Sequence, residues 1–406
     1  METKAPTQWR TMLASMVAVQ VIMSTSFTFL SPVLPLFLPD LGVSTASAVS
    51  FWAGLVASIT SFIAAFVSPF WGRMADRYGR KLMVLRSSFA IAICTLLMGL
   101  SQTVWHLLAA RALMGAFAGF TSASVVLVAS QVPENRLGYS LGLLSTGQLV
   151  GTLLGPVLGG AVRDLTGSYR IPFFVAGTVS LLAFLLCWLA VPERFTPPAE
   201  RECRNSIPAS IRLMTRIPGL SALVLVLLLT QFGVQAIQPV ITLFVQELVG
   251  QRPNLATLGG IAFSATGLAG ILAVPVLGRR SDSLGYRRVL MIALAGAALL
   301  TAPQAFVKSY WGFVVQRFAV GLFVGAILPT ANALIGRLTP HAERGFTYGM
   351  TASAYFLGNS LGPLTGGAVG ASFGLRWVFL VTAVLLFLNL AWVYLTVPER
   401  VSIERT

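Results

Sequence analysis

Twelve long apolar runs dominate this sequence of 406 residues. A membrane-spanning helix needs roughly 20 mostly apolar residues, and each run is long enough. The runs lie near residues 12–38, 48–70, 82–101, 105–130, 137–163 and 171–191, and near 219–246, 255–277, 289–307, 310–336, 345–370 and 376–396. Only 10% of the residues are charged, against about 25% in a soluble domain. The sequence therefore predicts an all-α integral membrane protein with twelve transmembrane helices, and it excludes a water-soluble enzyme.

The charge balance is strongly basic, with 28 Lys and Arg residues against 13 Asp and Glu residues. The charges fall in short clusters between the apolar runs, whereas a nucleic-acid-binding protein concentrates them on one solvated face. Most of the basic residues lie on one side of the predicted membrane, together with both termini and the central loop. The positive-inside rule places that side in the cytoplasm; the opposite side is called the outer side below. The basic excess therefore indicates topology, and we expect no nucleic-acid partner.

Cysteine and histidine are too few to build a metal site or a disulfide framework. The chain has three cysteines and two histidines, and their spacing matches no zinc-binding pattern. The sequence also shows no arrangement of a nucleophile with a base. We therefore expect no enzyme activity, no catalytic residue, no metal and no cofactor.

The two halves of the chain repeat each other at an interval of 206 or 207 residues, a pattern typical of transporters. For example, Gly155-Pro156 recurs as Gly362-Pro363. The repeat predicts two pseudo-symmetric six-helix bundles with the same orientation, at residues 1–191 and 219–406. The polar, proline-containing segment 192–218 is predicted to be a cytoplasmic linker between them.

The segment after the second run combines glycines, an aspartate and basic residues. It reads Gly72-Arg73-Met74-Ala75-Asp76-Arg77-Tyr78-Gly79-Arg80-Lys81, and a weaker copy contains Asp282. Glycine allows a tight reversal between two helices, and an acid among basic residues can cap a helix or pair with arginine. The pattern resembles the signature of the major facilitator superfamily, and the resemblance covers essentially the whole chain. It implies the major facilitator fold and a state latch on the cytoplasmic side, formed by Gly72, Asp76, Arg77, Gly79, Arg80 and Asp282.

The fifth run carries a second motif, Gly151-Thr152-Leu153-Leu154-Gly155-Pro156-Val157-Leu158-Gly159-Gly160. Glycine at every fourth residue makes a smooth face for close helix packing, and proline removes a helix hydrogen bond. Packing alone would explain the glycines. The pattern of Gly151, Gly155, Pro156, Gly159 and Gly160 nevertheless resembles the antiporter signature of drug–proton exporters. Segments such as Ser68-Pro69-Phe70-Trp71-Gly72 resemble MdtG-type multidrug exporters, which implies a location in the bacterial inner membrane.

Two arginines lie inside predicted spans, Arg111 in the fourth and Arg317 in the tenth. A buried arginine is costly unless it pairs, reaches the interface or faces water. The family resemblance implies a role in proton transfer for Arg111; the alternative is that its side chain reaches the outer interface. No acid lies near the middle of a span, so the candidate acids for proton coupling are Asp40 and its repeat counterpart Glu247. For both acids the alternative is an interfacial cap or salt bridge.

The resemblance further implies that the first, fourth, seventh and tenth spans line a central cavity. Their candidate residues for binding substrate are Gln20, Ser24, Phe27, Phe117, Gln231, Phe232, Gln235, Gln238, Phe323 and Asn332. The strongest set is Gln231, Gln235 and Gln238, because their spacing predicts one helical face and amides are costly in lipid. A cavity without an acid lacks a counter-ion for a cationic drug, which favours an amphipathic, neutral or weakly anionic substrate.

Together these features predict a secondary active exporter, a proton-driven antiporter of amphipathic compounds or drugs that works by alternating access. The expected partners are a small amphipathic substrate, protons and the lipid bilayer, and the expected form is a monomer. One alternative is an exporter dedicated to a single endogenous metabolite, such as a siderophore or a sugar. Another is a non-transporting membrane sensor, although no soluble signalling domain is evident.

Overall fold

The computed structural model describes residues 5–193, 220–339 and 344–397, which form α-helices and short 3-10 helices without a β-strand. The first stretch contains α1 (Ala5–Phe29), α2 (Leu34–Phe37), α3 (Ala46–Tyr78), α4 (Arg80–Gly99), α5 (Val104–Ala116), α6 (Phe120–Gln131), α7 (Leu137–Thr166) and α8 (Ile171–Ala190). The second and third stretches contain α9 (Leu220–Ala236), α10 (Ile241–Val249), α11 (Leu255–Leu284), α12 (Tyr286–Thr301), α13 (Tyr310–Leu338), α14 (Arg344–Phe373) and α15 (Leu375–Thr396).

Eleven spans within the described residues are long and apolar enough to cross a membrane. They coincide with eleven of the twelve predicted runs; α5 with α6 makes one span, and α9 with α10 makes another. The remaining run corresponds to α14, whose 30 residues include many glycine, hydroxyl and amide residues and are therefore less apolar. The predicted all-α membrane architecture is confirmed.

Prolines end the helices of the first and seventh spans earlier than the apolar runs suggest. α1 stops at Phe29, and the chain continues through α2 and a 3-10 helix at Pro39–Leu41. α9 stops at Ala236, just before a 3-10 helix that contains Pro239. Proline removes a backbone donor and disfavours the helical conformation of the preceding residue. Both breaks occur at equivalent places in the repeat.

The fourth span is also broken, which the sequence analysis did not predict. α5 ends at Ala116 and α6 begins at Phe120, and Gly119 between them has φ = +121°. Its repeat counterpart, Gly325, lies inside the continuous helix α13. Glycine permits such a backbone conformation, but glycine alone does not cause the break.

The reversal between the second and third spans is a single residue long. α3 runs to Tyr78 and α4 begins at Arg80, so Gly79 with φ = +98° makes the turn. Gly285, with φ = +90°, does the same between α11 and α12. The expectation that Gly72 belongs to this turn is wrong, because Gly72 lies inside α3.

The described residues divide into two compact units. The first falls within Met1–Thr45, Ile59–Arg201 and Gly250–Ser264, and the second within Ala46–Ser58, Glu202–Val249 and Ala265–Thr406. In the first unit α1 packs against α7 and α8, and α4 packs against α8. In the second unit α9 packs against α14 and α15, and α12 packs against α15. The same packing partners therefore recur in both units, as the repeat predicts.

Individual hydrogen bonds recur as well. Arg170 donates from Nη1 to the carbonyl oxygen of Gly99 over 2.9 Å, and Arg376 donates from Nη1 to that of Ala305 over 2.8 Å. The division into bundles at 1–191 and 219–406 stays a prediction. The proposed linker lies outside the described residues, except for residues 192 and 193.

Candidate functional site

The glycines of the antiporter motif hold α7 in close contact with α1. A Cβ atom added to Gly151 or Gly155 would lie 2.6 or 2.5 Å from a carbonyl oxygen of α1, and one added to Gly159 would lie closer still. No larger residue fits these positions without a shift, so the glycine spacing sets the distance between the helices. The repeat counterparts do the same for α14 against α9: Gly358, Gly362 and Gly366.

The same helix has a second close surface, which faces the beginning of α11. Gly160 lies against Ala256, and Gly260 lies against the carbonyl oxygen of Pro156. Ser264 donates its hydroxyl hydrogen to a carbonyl oxygen of α7 over 2.5 Å. α7 therefore packs between α1 of its own repeat and α11 of the other repeat.

Asp164, near the outer end of α7, binds the amino-terminal end of α11. Its carboxylate accepts hydrogen bonds from the Thr257 amide at 2.7 Å, the Thr257 hydroxyl at 2.6 Å and the Ala256 amide at 3.4 Å. Arg163 Nη1 lies 3.0 Å from the same carboxylate, and the Asp164 side chain is only 10% exposed. The sequence analysis missed this residue. The available signal was its place on the outer side, where acids are scarce.

Arg111 and Arg317 project into two equivalent cavities, one in each unit. The Arg111 cavity is lined by Ser26, Phe27, Leu30, Ile91, Thr95, Met98 and Met114. The Arg317 cavity is lined by Val234, Ile237, Thr266, Thr301, Val320, Val324, Thr382 and Leu386. Four lining positions of the first cavity recur in the second at the repeat interval, together with the arginine. The two cavities are therefore a product of the internal repeat.

Neither guanidinium group has a hydrogen-bond acceptor or an acid partner within the described part of the chain. The Nε atoms of Arg111 and Arg317 are both buried without a partner, and Arg317 is only 6% exposed. A cation without a partner is costly inside a membrane protein. Such a residue is expected to serve function rather than stability.

The candidate acids for proton coupling do not pair with these arginines in the described part of the chain. Glu247 forms an ion pair with Arg376, whose Nε lies 3.0 Å from the carboxylate, and both side chains are about 40% exposed. Asp40 is exposed on the 3-10 helix that follows α2. Among the described residues, no ion pair joins Asp40 to Arg111 or Glu247 to Arg317. Proton coupling through these four residues stays a prediction.

The break in the fourth span is capped by side chains of α3 and α4. Trp71 Nε1 and Arg86 Nη2 donate to carbonyl oxygens of the break over 2.7 and 3.0 Å. The Arg86 guanidinium also lies 3.4 Å from the centre of the Trp71 ring. These donors satisfy carbonyl groups that a continuous helix would bond internally. Their repeat counterparts, Leu277 and Ile292, cannot donate, and α13 is unbroken.

The glutamine stripe of α9 makes one direct polar contact with α14. Gln231 Nε2 donates to Asn359 Oδ1 over 2.7 Å, and Tyr355 stands one helical turn before Asn359 on α14. The sequence analysis did not single out Asn359 or Tyr355. The sequence offered one indication for Asn359: it directly follows Gly358, a glycine of the repeated motif, which places it at the interface of α9 and α14.

Two of the three glutamines face α14, and the third does not belong to α9. Gln235 lies beside Gly362 of α14. Gln238 lies beyond the end of α9 and begins a 3-10 helix. Because Gln238 lies past the end of α9, the expectation that all three glutamines share one helical face stays a prediction.

The other cavity candidates occupy varied surroundings. Gln20 is 1% exposed, and its Nε2 donates to Ser24 Oγ over 3.3 Å. Phe27 is 51% exposed, and the ring of Phe117 lies 6.0 Å from that of Trp71. Three candidates are partly buried: Phe232, Phe323 and Asn332. Which of them contact substrate stays a prediction.

The latch motif is described only in part. The side chains of Asp76 and Asp282 lie outside the described part of the structure. The Arg77 guanidinium lies 5.4 Å from the centre of the Tyr78 ring. The Arg80 amide donates to Glu193 Oε1 over 2.7 Å, which caps the first turn of α4. The latch stays a prediction.

Comparison with known proteins places these features in a family. The sequence profile described as Major Facilitator Superfamily matches residues 16–259 and 223–405. A protein of Dickeya zeae named Multidrug resistance protein MdtG is 38% identical over 404 residues, covering 100% of this chain and 98% of that protein. The protein of the same name from Serratia proteamaculans is 39% identical over 375 residues, covering 92% and 91%.

Solved structures share the fold. A bacterial homologue of the human lysosomal transporter Spinster, in an inward-facing and occupied conformation, superposes with a TM-score of 0.73 at 18% identity. The comparison covers 95% of this chain and 96% of that one. At this identity the similarity concerns the fold alone.

Proposed function

Because the chain belongs to the Major Facilitator Superfamily and is therefore a multi-pass membrane transporter, we propose that it exports drugs or other amphipathic compounds from the cytoplasm. The family and the fold that the sequence predicted are both confirmed. The names of the full-length relatives support multidrug export. We further propose that export is proton-driven antiport by alternating access, in the bacterial inner membrane, with both termini in the cytoplasm.

The observation that carries this proposal is the placement of the antiporter motif. Its glycines and proline give α7 two close surfaces, one against α1 and one against α11. Alternating access requires helices of the two repeats to separate on one side of the membrane and close on the other. A helix that is packed without intervening side chains can slide or tilt against both neighbours, which suits such a movement.

The polar groups of α9 and α14 suggest the substrate class. Gln231 and Asn359 are hydrogen-bonded to each other, and with Tyr355, one turn away on α14, they make a cluster of neutral donors and acceptors. Neutral hydrogen-bonding groups with apolar neighbours suit an amphipathic molecule that is neutral or weakly anionic. A substrate of this kind would use the cluster to orient its polar end and the apolar walls to bind its body.

Proton coupling is proposed at acids near the ends of the spans. We expect Asp40 and Glu247, with Arg111 and Arg317, to link proton binding to the change of state. The arginines would favour release of a proton from a nearby acid by stabilising its charged form. Glu247 would have to exchange Arg376 for another partner during the cycle.

The test is substrate flux in proteoliposomes, with and without an imposed proton gradient, for a panel of chemically unrelated toxic compounds. We expect the gradient to accelerate flux of several compounds and the Asp40→Asn, Glu247→Gln double variant to lose that acceleration. Flux of a single compound from the panel would instead indicate an exporter dedicated to one metabolite. Flux that ignores the gradient in the unmodified protein would contradict antiport.

A further inference from the structure

The contact between α7 and α11 ends in an acidic side chain with several hydrogen-bond partners. The Asp164 carboxylate accepts from the Thr257 amide and hydroxyl at 2.7 and 2.6 Å, and from the Ala256 amide at 3.4 Å. Arg163 holds the same carboxylate at 3.0 Å. Three of these donors belong to the first turn of a helix from the other repeat.

The chemistry of a helix start makes this contact depend on charge. The first amide groups of an α-helix have no acceptor within the helix, and they form the positive end of its dipole. A carboxylate accepts hydrogen bonds from these amide groups, and its negative charge interacts favourably with the positive end of the dipole. Hydrogen bonds to a charged acceptor are also shorter and stronger than neutral ones. Asn at the same place could accept with one oxygen only and would lack the charge.

The surrounding backbone lets α7 and α11 meet at this point. Gly160 and Gly260 remove side chains from between the two helices, so that main chain lies on main chain. Arg163 also donates to the carbonyl oxygen of Pro253, just before α11, over 3.4 Å. The carboxylate is thus the polar end of a tightly packed seam that extends along both helices.

The equivalent seam in the second unit has no charged group at this position. There the start of α3 meets the end of α14, and Ser47 donates its hydroxyl hydrogen to the carbonyl oxygen of Ala371 over 2.8 Å. Ala371 is the repeat counterpart of Asp164. Ser50 adds a hydrogen bond to the carbonyl oxygen of Gly367 over 3.2 Å. One seam therefore depends on a carboxylate side chain and the other on hydroxyl groups.

We propose that Asp164 is a positioning residue for transport, which holds the outer ends of α7 and α11 together and is released when the transporter opens outward. The inference rests on alternating access as proposed above, since the two helices belong to different repeats and must part on the outer side for substrate to leave. Asp164 sets the balance between the two states, whereas the binding of substrate and of the transported proton takes place elsewhere.

The experiment measures the outer distance directly and needs no flux. Spin labels at Leu165 and Gln251, both exposed, report the separation of the two outer ends in lipid nanodiscs, in a background without native cysteines. We expect Asp164→Asn to increase the ratio of separated to closed molecules at least about tenfold, because hydrogen bonds to a charged group are among the strongest in proteins. Asp164→Glu should restore part of the closed population.

The control is Ser47→Ala, which removes one neutral hydrogen bond from the equivalent seam and should shift this distance distribution much less than Asp164→Asn does, because a neutral hydrogen bond is weaker. A folded Asp164→Asn protein with the distance distribution of the unmodified chain would overturn the proposal. Equal effects of Asp164→Asn and Ser47→Ala would also overturn it, since the carboxylate would then have no special role. A flux assay adds a second readout. The KM for substrate on the cytoplasmic side should rise in Asp164→Asn, as fewer molecules face inward.

Because the distances are measured without substrate or gradient, the proposed function and this inference can fail separately. If a proton gradient does not change flux in the unmodified protein, proton antiport is wrong. The spin-label distances would still test the role of Asp164.

Discussion

Replacement of the buried Arg317 should make the protein more stable and less active. Arg317 is 6% exposed and has no acceptor for its Nε within the described residues. An arginine at the centre of a membrane helix costs about 2.5–3.5 kcal/mol on insertion scales. Arg317→Met keeps the long side chain and removes the charge. We expect it to recover at least about 1 kcal/mol, which raises Tm by about 2–4 °C in a unit of 150–250 residues.

The matched control is Arg376→Met, which removes an arginine that does have partners. Arg376 binds Glu247 at 3.0 Å and the carbonyl oxygen of Ala305 at 2.8 Å. Its loss should lower the stability by about 1–2 kcal/mol, since two hydrogen bonds disappear. The assay is thermal unfolding of purified protein in detergent, together with substrate flux. If Arg317→Met lowers Tm as much as Arg376→Met does, Arg317 contributes to stability and our account of its cavity is wrong.

Three further changes test the helix contacts and the latch. Gly155→Leu should abolish flux at normal expression, since even a Cβ there would lie 2.5 Å from a carbonyl oxygen of α1. The control, Gly142→Leu, places the side chain in open space and should be tolerated. Similar flux for both variants would refute the close contact. Trp71→Phe should speed amide hydrogen exchange at the break of the fourth span by about fivefold or more, because the lost hydrogen bond is worth roughly 1 kcal/mol. Unchanged exchange would show that the indole does not cap the break. Asp76→Asn should reduce export strongly in a folded protein and Asp282→Asn only mildly, and equal losses in a flux assay would contradict a latch at Asp76.

The number and kind of helices could be predicted because they depend on local composition. Long apolar runs and glycine spacing each act over a few residues, so the apolar spans and the glycine face of α7 followed from the sequence. The repeat added which elements correspond to each other. The extents of α1 and α9 did not follow in the same way, because both helices end before their apolar runs do.

Other parts of the site depend on partners distant in the sequence. The partners of Asp164 at the start of α11, Ala256 and Thr257, lie more than 90 residues away in the sequence, and no local pattern marks them as its partners. The break at Gly119 could not be predicted either. Gly325 occupies the same position in the repeated motif and yet lies in an unbroken helix. The difference lies in Trp71 and Arg86, which belong to other helices.

The unequal fourth and tenth helices also bear on how the two halves came to differ. A repeat that keeps nearly the same interval along the whole chain indicates a duplicated ancestor, so both copies began with the same helix at this place. If the helix were broken without Trp71 and Arg86, the carbonyl groups at the break would lack hydrogen-bond donors in the bilayer. If the helix were unbroken, the side chains of Trp71 and Arg86 would be buried without acceptors. Each change alone would have been harmful. The divergence of the two copies therefore had to alter Trp71, Arg86 and the helix together, and exchanging this segment between the halves should fail unless all three parts are moved as one.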